Sequence, residues 1–354
     1  MNLPNETKSF AKRQALGFAW EDTVWPLTCL QMKVFVTGGA GYIGSICVEQ
    51  LLNSGHEVVV FDNLSEGHQK AVDKRARFIE GCLSDRETII NSVVSNQSQI
   101  IMHFAANALV GESMVNPSKY FRNNVSNGIN LLDAAIEGKI EKFVFSSTCA
   151  TYGMPETVPM SENLPLNPIN PYGESKVIFE KLLRWYNEIH GLEFVALRYF
   201  NAAGASENFG EHHRIETHLI PNILKVSLGQ SNQCKIFGTD YPTPDGTCIR
   251  DYIHIIDLAQ AHMLAMQKGK NGFFNLGNGE GYSVRQVINA CEKISGTKIK
   301  TIEESRRPGD PPRLIASAQK AFDELNWNPK FGSLEEIIES AWTWHKKNPN
   351  GYTV

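Results

Sequence analysis

The sequence predicts an α/β protein: a doubly wound parallel sheet followed by a smaller C-terminal α/β lobe. A glycine-rich turn joins the first apolar strand pattern to the first helical pattern. Strand and helix patterns then alternate to about residue 200, and a less regular region with Gly, Pro and His clusters follows. Alternation of this kind is typical of parallel sheets whose two faces are covered by helices.

The glycine-rich turn lies in KVFVTGGAGYIGS, residues 33–45, between a strand over 33–36 and a helix over 42–52. Gly38, Gly41 and Gly44 are spaced so that the first permits a tight turn and the second lets a pyrophosphate approach the backbone. The third lets the helix pack closely, and the helix N-terminus offers N–H groups to phosphates. This arrangement predicts a Rossmann-like dinucleotide site.

A second strand, residues 57–61, ends at Asp62, which lies roughly twenty residues beyond the glycines. A carboxylate there would bind the adenosine ribose hydroxyls and repel a 2′-phosphate. No basic residue lies beside it in the sequence. The sequence therefore predicts NAD rather than NADP as the cofactor.

The remaining elements follow in order. Strands are predicted over residues 99–106, 142–147 and 193–200, with helices over 117–137 and 174–190. Further helices are predicted over 257–267 and 284–294. We expect a Rossmann domain over 32–200, and a lobe over 201–354 that partly returns to it. Residues 1–31 are interpreted as appended or upstream-extended sequence, with a docking segment carried by Trp20 and Trp25 as the alternative.

The composition argues against several classes of protein. A formal charge of −4 and a pI near 6.2 disfavour a nucleic-acid surface or a basic membrane patch. No apolar run suits a membrane span, and no signal peptide is evident. The seven cysteines are widely spaced without a C-x-x-C pair, a pattern typical of reduced thiols in a cytoplasmic protein.

The candidate catalytic residues lie at the end of the predicted strand over 142–147 and on the helix that follows it. Ser146, Ser147 and Thr148 lie at its carboxyl end, the edge at which open α/β sheets bind ligands. Tyr172 and Lys176 are four residues apart and share a face of the next helix. A lysine ammonium and an oxidised nicotinamide would both lower the pKa of the phenol toward a usable base. The pattern predicts a catalytic site, with a surface Tyr–Lys pair as the alternative.

These residues resemble the extended short-chain dehydrogenase/reductases. The strings TGGAGYIGS, HFAA, NNV, FSST, PYGESK, LRYFN and RDYIH occur in the order typical of that family. The strings DNLSEGH, HFAANALVGES, RYFNAAGA, IFGTDYPTPDGTCIRDYIHI and GDPPRL are similar to its UDP-sugar 4-epimerases. The resemblance extends from Met32 to near the C-terminus, so only the N-terminal segment is outside it.

The resemblance implies interconversion of UDP-galactose and UDP-glucose through a 4-keto sugar, with Tyr172 as acid and base. Thr148 would assist it, and Lys176 would contact the nicotinamide ribose. The implied cofactor-binding residues are Gly38, Gly41, Tyr42, Ile43, Gly44, Asp62, Asn63, Leu83, Phe104, Ala105, Ala106, Asn124, Ser146, Tyr172, Lys176 and Tyr199. The implied substrate-binding residues are Thr148, Tyr172, Phe200, Asn201, His218, Leu219, Lys235, Phe237, Arg250, Arg307, Asp310 and Leu314.

Two positions depart from the family pattern. Cys82 stands where many members carry an Asp that contacts the adenine amino group, and a thiol is a weak acceptor. Ala108 replaces a lysine found in some members near the pyrophosphate. His212 and His213 are interpreted as loop histidines without ligand spacing, so no metal is expected.

Several alternatives stay open. Arg250 could pair with neighbouring Asp251, and Arg307 could be a solvated loop charge. A UDP-N-acetylglucosamine 4-epimerase is the nearest alternative enzyme, and a non-catalytic NAD-sensing protein is the alternative from another class. Leu314 has neither the ring that would exclude an N-acetyl group nor a small side chain that would admit it, so we expect weak activity on that pair. The resemblance also implies a homodimer, formed by the helices over 117–137 and 174–190.

Overall fold

A computed structural model describes residues 31–307 and 309–352. The predicted N-terminal extension lies outside the described residues except for Gln31, whose side chain donates to Glu57 Oε1 at 3.3 Å. Among the described residues, no helix combines the length and the apolar character needed to span a membrane.

The predicted doubly wound sheet is confirmed. It has seven strands in the order β10-β6-β5-β4-β1-β2-β3, and every neighbouring pair is parallel. The strand order reverses between β1 and β4, the place where such sheets leave a crevice for a ligand. The strands are β1 (Lys33–Thr37), β2 (Glu57–Asp62), β3 (Arg77–Glu80), β4 (Ile100–His103), β5 (Lys142–Thr148), β6 (Glu193–Tyr199) and β10 (Gly272–Leu276).

Helices cover both faces of this sheet because each strand is apolar on both sides. One buried cluster joins the sheet to the helix after the glycine turn and to a helix from beyond residue 200, namely α1 (Tyr42–Asn53) and α8 (Ile255–Lys268). The opposite cluster joins it to α2 (Arg86–Asn96), α5 (Asn127–Glu137) and α6 (Pro171–His190). Short helices α3 (Val110–Val115) and α4 (Pro117–Tyr120) precede α5.

The C-terminal lobe contains two smaller sheets and a separate apolar core. One sheet holds β7 (Asn201–Ala203), β9 (Ile249–His254), β11 (Gly281–Ser283) and β13 (Arg313–Leu314). The other pairs β8 (Cys234–Phe237) with β12 (Thr301–Glu304). The core of this lobe is lined by α7 (Leu219–Ser227), α9 (Val284–Ser295) and α11 (Leu334–Lys347), while α10 (Gln319–Leu325) lies against the large sheet's cluster.

Two predicted helices differ from the structure in detail. The helix predicted over 117–137 is divided by a π-helical segment, Phe121–Ser126, a feature that recurs at functional sites. The helix predicted from residue 174 begins instead at Pro171, because the Asn170 side chain accepts from Gly173 N at 2.8 Å. An asparagine cap followed by proline is a strong start signal.

A buried ion pair connects α6 to the centre of the sheet. Arg198 on β6 donates to both carboxylate oxygens of Glu180 on α6, at 2.9 and 2.6 Å, and both side chains are only 3% exposed. Ser147 Oγ on β5 donates to Glu180 at 2.7 Å. Tyr152 accepts from Arg198 at 2.9 Å and donates to Asn275 on β10 at 2.7 Å. The network therefore fixes one helix against three strands.

Replacing Glu180 with glutamine should strongly destabilise the fold. Arg198 would stay buried with no anionic partner, which costs about 3–5 kcal/mol. Urea unfolding of Glu180→Gln measures the loss, and Glu188→Gln, at an exposed position of the same helix, should stay within about 0.5 kcal/mol of wild type. Equal stability of the two variants would contradict the role given to the ion pair.

Candidate active site

The candidate site lies at the carboxyl ends of β1, β4 and β5. The glycine turn follows β1, and the segment Phe104-Ala105-Ala106 follows β4. The two loops touch: a Cβ added to Gly38 would come 2.5 Å from Ala105 N. They meet at the reversal of strand order, so both border the crevice.

The glycine turn has the shape that a dinucleotide phosphate needs. Gly38 has φ +76°, a conformation that favours glycine, and a Cβ on Gly44 would overlap the Gly38 carbonyl oxygen. Gly41 precedes α1 with no side-chain cap among the described contacts. The first N–H groups of α1, at Tyr42 and Ile43, are therefore available to an anion.

Asp62 lies at the end of β2 beside this turn. Its Oδ2 accepts from Ala40 N at 3.0 Å and its Oδ1 from Leu64 N at 2.8 Å. Burial raises the pKa of this carboxyl, and the two backbone hydrogen bonds oppose that shift. Each carboxylate oxygen keeps a second lone pair for a ribose hydroxyl. Together with the glycine turn, these residues fit NAD.

The residue at the position expected to contact adenine is Cys82. Cys82 Sγ accepts from Ser84 Oγ at 3.1 Å and from Asn63 Nδ2 at 3.6 Å. Burial raises the pKa of Cys82, but these hydrogen bonds outweigh it and leave the pKa below the usual thiol value. Leu83 is buried next to it, and its carbonyl oxygen accepts from Asn130 at 2.8 Å.

Asn124, on the π-helical segment, is hydrogen-bonded to the protein itself. Its Oδ1 accepts from Asn107 N at 2.9 Å, and its Nδ2 donates to Asn107 O and Ser175 Oγ, both at 3.0 Å. It therefore holds the segment after β4 against α6. Phe104, in that segment, packs its ring 4.9 Å from the ring of His262.

Thr148, Tyr172 and Lys176 come together as the sequence predicts. Tyr172 is half-buried, and its phenol is close enough to the Thr148 side chain at the end of β5 for Thr148 to lower the phenol pKa. Lys176 is buried one turn further along α6, and its Nζ donates to the Ser146 carbonyl oxygen at 2.8 Å. The Ser146 hydroxyl makes a hydrogen bond with Tyr199. The phenol, hydroxyl and ammonium thus lie at one sheet edge.

The prediction that Lys176 lowers the pKa of Tyr172 is wrong for the protein's own residues. Burial raises the pKa of Tyr172 to about 12, although the hydrogen bond with Thr148 opposes the rise. Lys176 Nζ lies 5.9 Å from the phenol ring centroid and is engaged by Ser146. Burial also lowers the pKa of Lys176 to about 7. Tyr172 is therefore a protonated phenol at neutral pH, and the cationic nicotinamide remains the predicted source of activation.

The residues expected to bind the nucleotide diphosphate gather on the C-terminal lobe. Arg250 forms an ion pair with Asp310, not with its sequence neighbour Asp251. Asp251 is fully buried and accepts from three backbone N–H groups. The Arg307 side chain is exposed, and its guanidinium lies 4.1 Å from the centroid of the Phe237 ring.

The other residues assigned to the substrate lie around these. Lys235 pairs with Glu304 at 3.1 Å, and Asn201 Nδ2 donates to the Asp251 carbonyl oxygen at 2.9 Å. Phe200 and Leu314 share a small apolar cluster beside Cys149, the residue after Thr148. Leu314 and Cys149 therefore pack against the same apolar cluster.

His213, which the sequence predicts to be a loop histidine without ligand spacing, lies in a cluster of four ionisable side chains. His213 and His218 meet Glu211 and Glu216, and one ligand atom from each of the four lies within 4.8 Å of the others. His218 Nδ1 is 2.8 Å from Glu216 Oε1. Leu219 follows as the first residue of α7.

Sequence reasoning missed Glu180 and the Glu211–Glu216 pair. Glu180 could have been found, because it continues the four-residue spacing of Tyr172 and Lys176 on one face of α6. The carboxylates of Glu211 and Glu216 lie in an irregular loop, where spacing alone does not predict burial.

Comparisons with known proteins agree with this geometry. The model of the NAD dependent epimerase/dehydratase family matches residues 34–277. A UDP-glucose 4-epimerase of Halalkalibacterium halodurans is 49% identical over 329 residues, which cover 91% of this chain and 98% of that protein. The structure of Bifidobacterium longum UDP-glucose 4-epimerase in complex with NAD+ and UDP is similar with a TM-score of 0.86 at 36% identity, covering 90% of this chain and 99% of that one. The UDP-Glc/GlcNAc 4-epimerase of Campylobacter jejuni has a TM-score of 0.78 at 41% identity, covering 89% and 99%.

Proposed function

The chain belongs to the NAD dependent epimerase/dehydratase family, and we propose that it interconverts UDP-galactose and UDP-glucose. It is an isomerase that uses NAD, as its resemblance to UDP-glucose 4-epimerases implies. The observation that carries the proposed chemistry is the meeting of Thr148, Tyr172 and Lys176 beside the glycine turn.

Tyr172 moves the proton of the sugar 4-hydroxyl. When bound, NAD would supply the redox chemistry, because it can accept a hydride from C4 of the sugar and return it. The Tyr172 phenolate takes the hydroxyl proton as the 4-keto sugar forms, and gives it back after the sugar has turned over about its pyrophosphate link. Thr148, whose side chain lies close enough to the phenol to lower its pKa, would assist it. Lys176, whose ammonium donates to the Ser146 carbonyl oxygen, would contact the nicotinamide ribose.

The UDP part of the substrate stays fixed during this rotation. Arg250 and Arg307 present planar guanidinium groups that suit the diphosphate. Asp310, already paired with Arg250, would accept from the uridine ribose, while Phe237, stacked under Arg307, would border the nucleotide. The backbone at His218-Leu219 would close the other side.

We propose further that the enzyme is a cytoplasmic homodimer. The side chains of Trp185 and Ile189 are 57% and 67% exposed and lie one turn apart on α6, which makes an apolar stripe suited to a helix of a second copy. The described cysteines are free thiols, as expected in a reducing compartment: Cys47, Cys82, Cys149, Cys234, Cys248 and Cys291.

The purified protein, mixed with UDP-galactose and no added NAD, should produce UDP-glucose. Tyr172→Phe should lower kcat by about two orders of magnitude or more, because the acid–base group is lost, and should leave bound NAD unchanged. Tyr186→Phe, on the same helix but hydrogen-bonded to Asp133, is the matched control and should keep its rate. A near-normal rate in Tyr172→Phe would remove Tyr172 from the mechanism, and an inactive wild type would favour an NAD-sensing protein.

Leu314 is the residue we propose to limit substrate size. It packs with Phe200 in the same apolar cluster as Cys149, and leucine leaves partial room for an N-acetyl group. We expect UDP-glucose and UDP-galactose as the main pair, with weak activity on the N-acetylated pair. A dominant N-acetylated activity would instead favour the UDP-N-acetylglucosamine 4-epimerase alternative.

Leu314→Tyr should abolish the weak activity by steric clash and spare the main one. Comparison of kcat/KM for both pairs measures the change, with the volume-conserving Leu314→Met as control. If Leu314→Tyr lowers both activities equally, Leu314 does not limit substrate size.

A further inference from the structure

We propose that Glu211, His213, Glu216 and His218 bind one zinc(II) ion. These four residues, here called the His–Glu cluster, lie in the loop between β7 and α7. His213 Nδ1 is 3.1 Å from Glu216 Oε2, and His218 Nδ1 is 2.8 Å from Glu216 Oε1 and 3.0 Å from Glu211 Oε1. One ligand atom from each residue fits within 4.8 Å of all the others.

A second observation points to a ligand at this place. Glu211 is only 4% exposed, and its Oε1 is buried without a well-aligned hydrogen bond from any described residue. The atom faces the two imidazole nitrogens, at 3.0 and 3.5 Å. Without a metal, only a protonated imidazole could compensate this buried carboxylate oxygen. A divalent cation bound between it and two neutral imidazoles would take over that role.

The donor set favours zinc over magnesium or calcium. Two imidazole nitrogens and two carboxylate oxygens suit a tetrahedral zinc ion, with bonds of about 2.0–2.2 Å, whereas magnesium and calcium prefer oxygen ligands only. The two carboxylates of Glu211 and Glu216 would neutralise the charge of a divalent ion. The side chains of both are at most 5% exposed, so water would compete weakly.

The cluster borders a cavity and contacts a residue of the helix after the glycine turn. The cavity, of about 490 Å³, is lined in part by Glu211 and Glu216. Tyr42 of α1 packs its ring 6.1 Å from the ring of His213 and donates to Gly204 O at 2.7 Å. His218 precedes α7 directly. A bound zinc would therefore hold this loop and the start of α7 in one arrangement.

Zinc chloride alone, titrated by calorimetry into untagged, chelator-treated full-length protein, tests the proposal. We expect one zinc per chain, and no comparable binding of magnesium. His213→Gln and Glu211→Gln should each weaken zinc binding at least about tenfold, the scale seen even for residues that only support metal ligands. His190→Gln, at an exposed histidine outside the cluster, is the control and should bind like wild type.

A second measurement serves if either variant fails to fold. Zinc should raise the Tm of the chelator-treated wild-type protein, because it binds the folded state, and cobalt(II) in its place should give the absorption bands of a tetrahedral site. No zinc binding by the wild type, equal affinity in the folded cluster variants, or cobalt bands typical of six-coordination would overturn the proposal. If ion pairs alone hold the cluster together, the wild-type protein will not bind zinc.

Discussion

The position of the catalytic helix depends on the buried ion pair between Glu180 and Arg198. Glu180 lies on the same face of α6 as Tyr172 and Lys176, so fixing its carboxylate to Arg198 and Ser147 also fixes the direction of the phenol and the ammonium. A buried charge pair needs good geometry and further hydrogen bonds to be tolerated, and the sheet supplies both. The catalytic side chains thereby sit on rigid elements and not on a loop.

The same burial that orients Tyr172 also opposes its ionisation. Desolvation raises the pKa of the phenol to about 12, and Lys176 is engaged by the Ser146 carbonyl oxygen and has its own pKa lowered to about 7. A phenol in this state is a poor base at neutral pH. In the proposed mechanism, the positive charge of a bound oxidised nicotinamide would favour the phenolate.

Local signals predicted the fold and the proximity of the candidate catalytic residues, but not the long-range pairings. The glycine turn, Asp62 and the Tyr172/Lys176 spacing are short-range patterns with a direct physical meaning, and the structure brings them to one sheet edge. The partner of Arg250 is Asp310, far along the chain, because β13 lies beside β9. The His–Glu cluster likewise depends on how an irregular loop folds, which no periodicity in the sequence describes. The π-helical segment at Asn124 lies within a continuous helical pattern, so the sequence did not predict the change from α-helical to π-helical hydrogen bonding there.

In the proposed reaction, the C4 hydrogen of the sugar leaves and returns within one active site, while Tyr172 transfers only the hydroxyl proton. UDP-galactose carrying deuterium at C4, converted in ordinary water and analysed by mass spectrometry and NMR, tests this directly. We expect UDP-glucose that retains the deuterium at C4. UDP-glucose with solvent hydrogen at C4 would contradict it, since the inversion would then proceed by proton exchange at carbon.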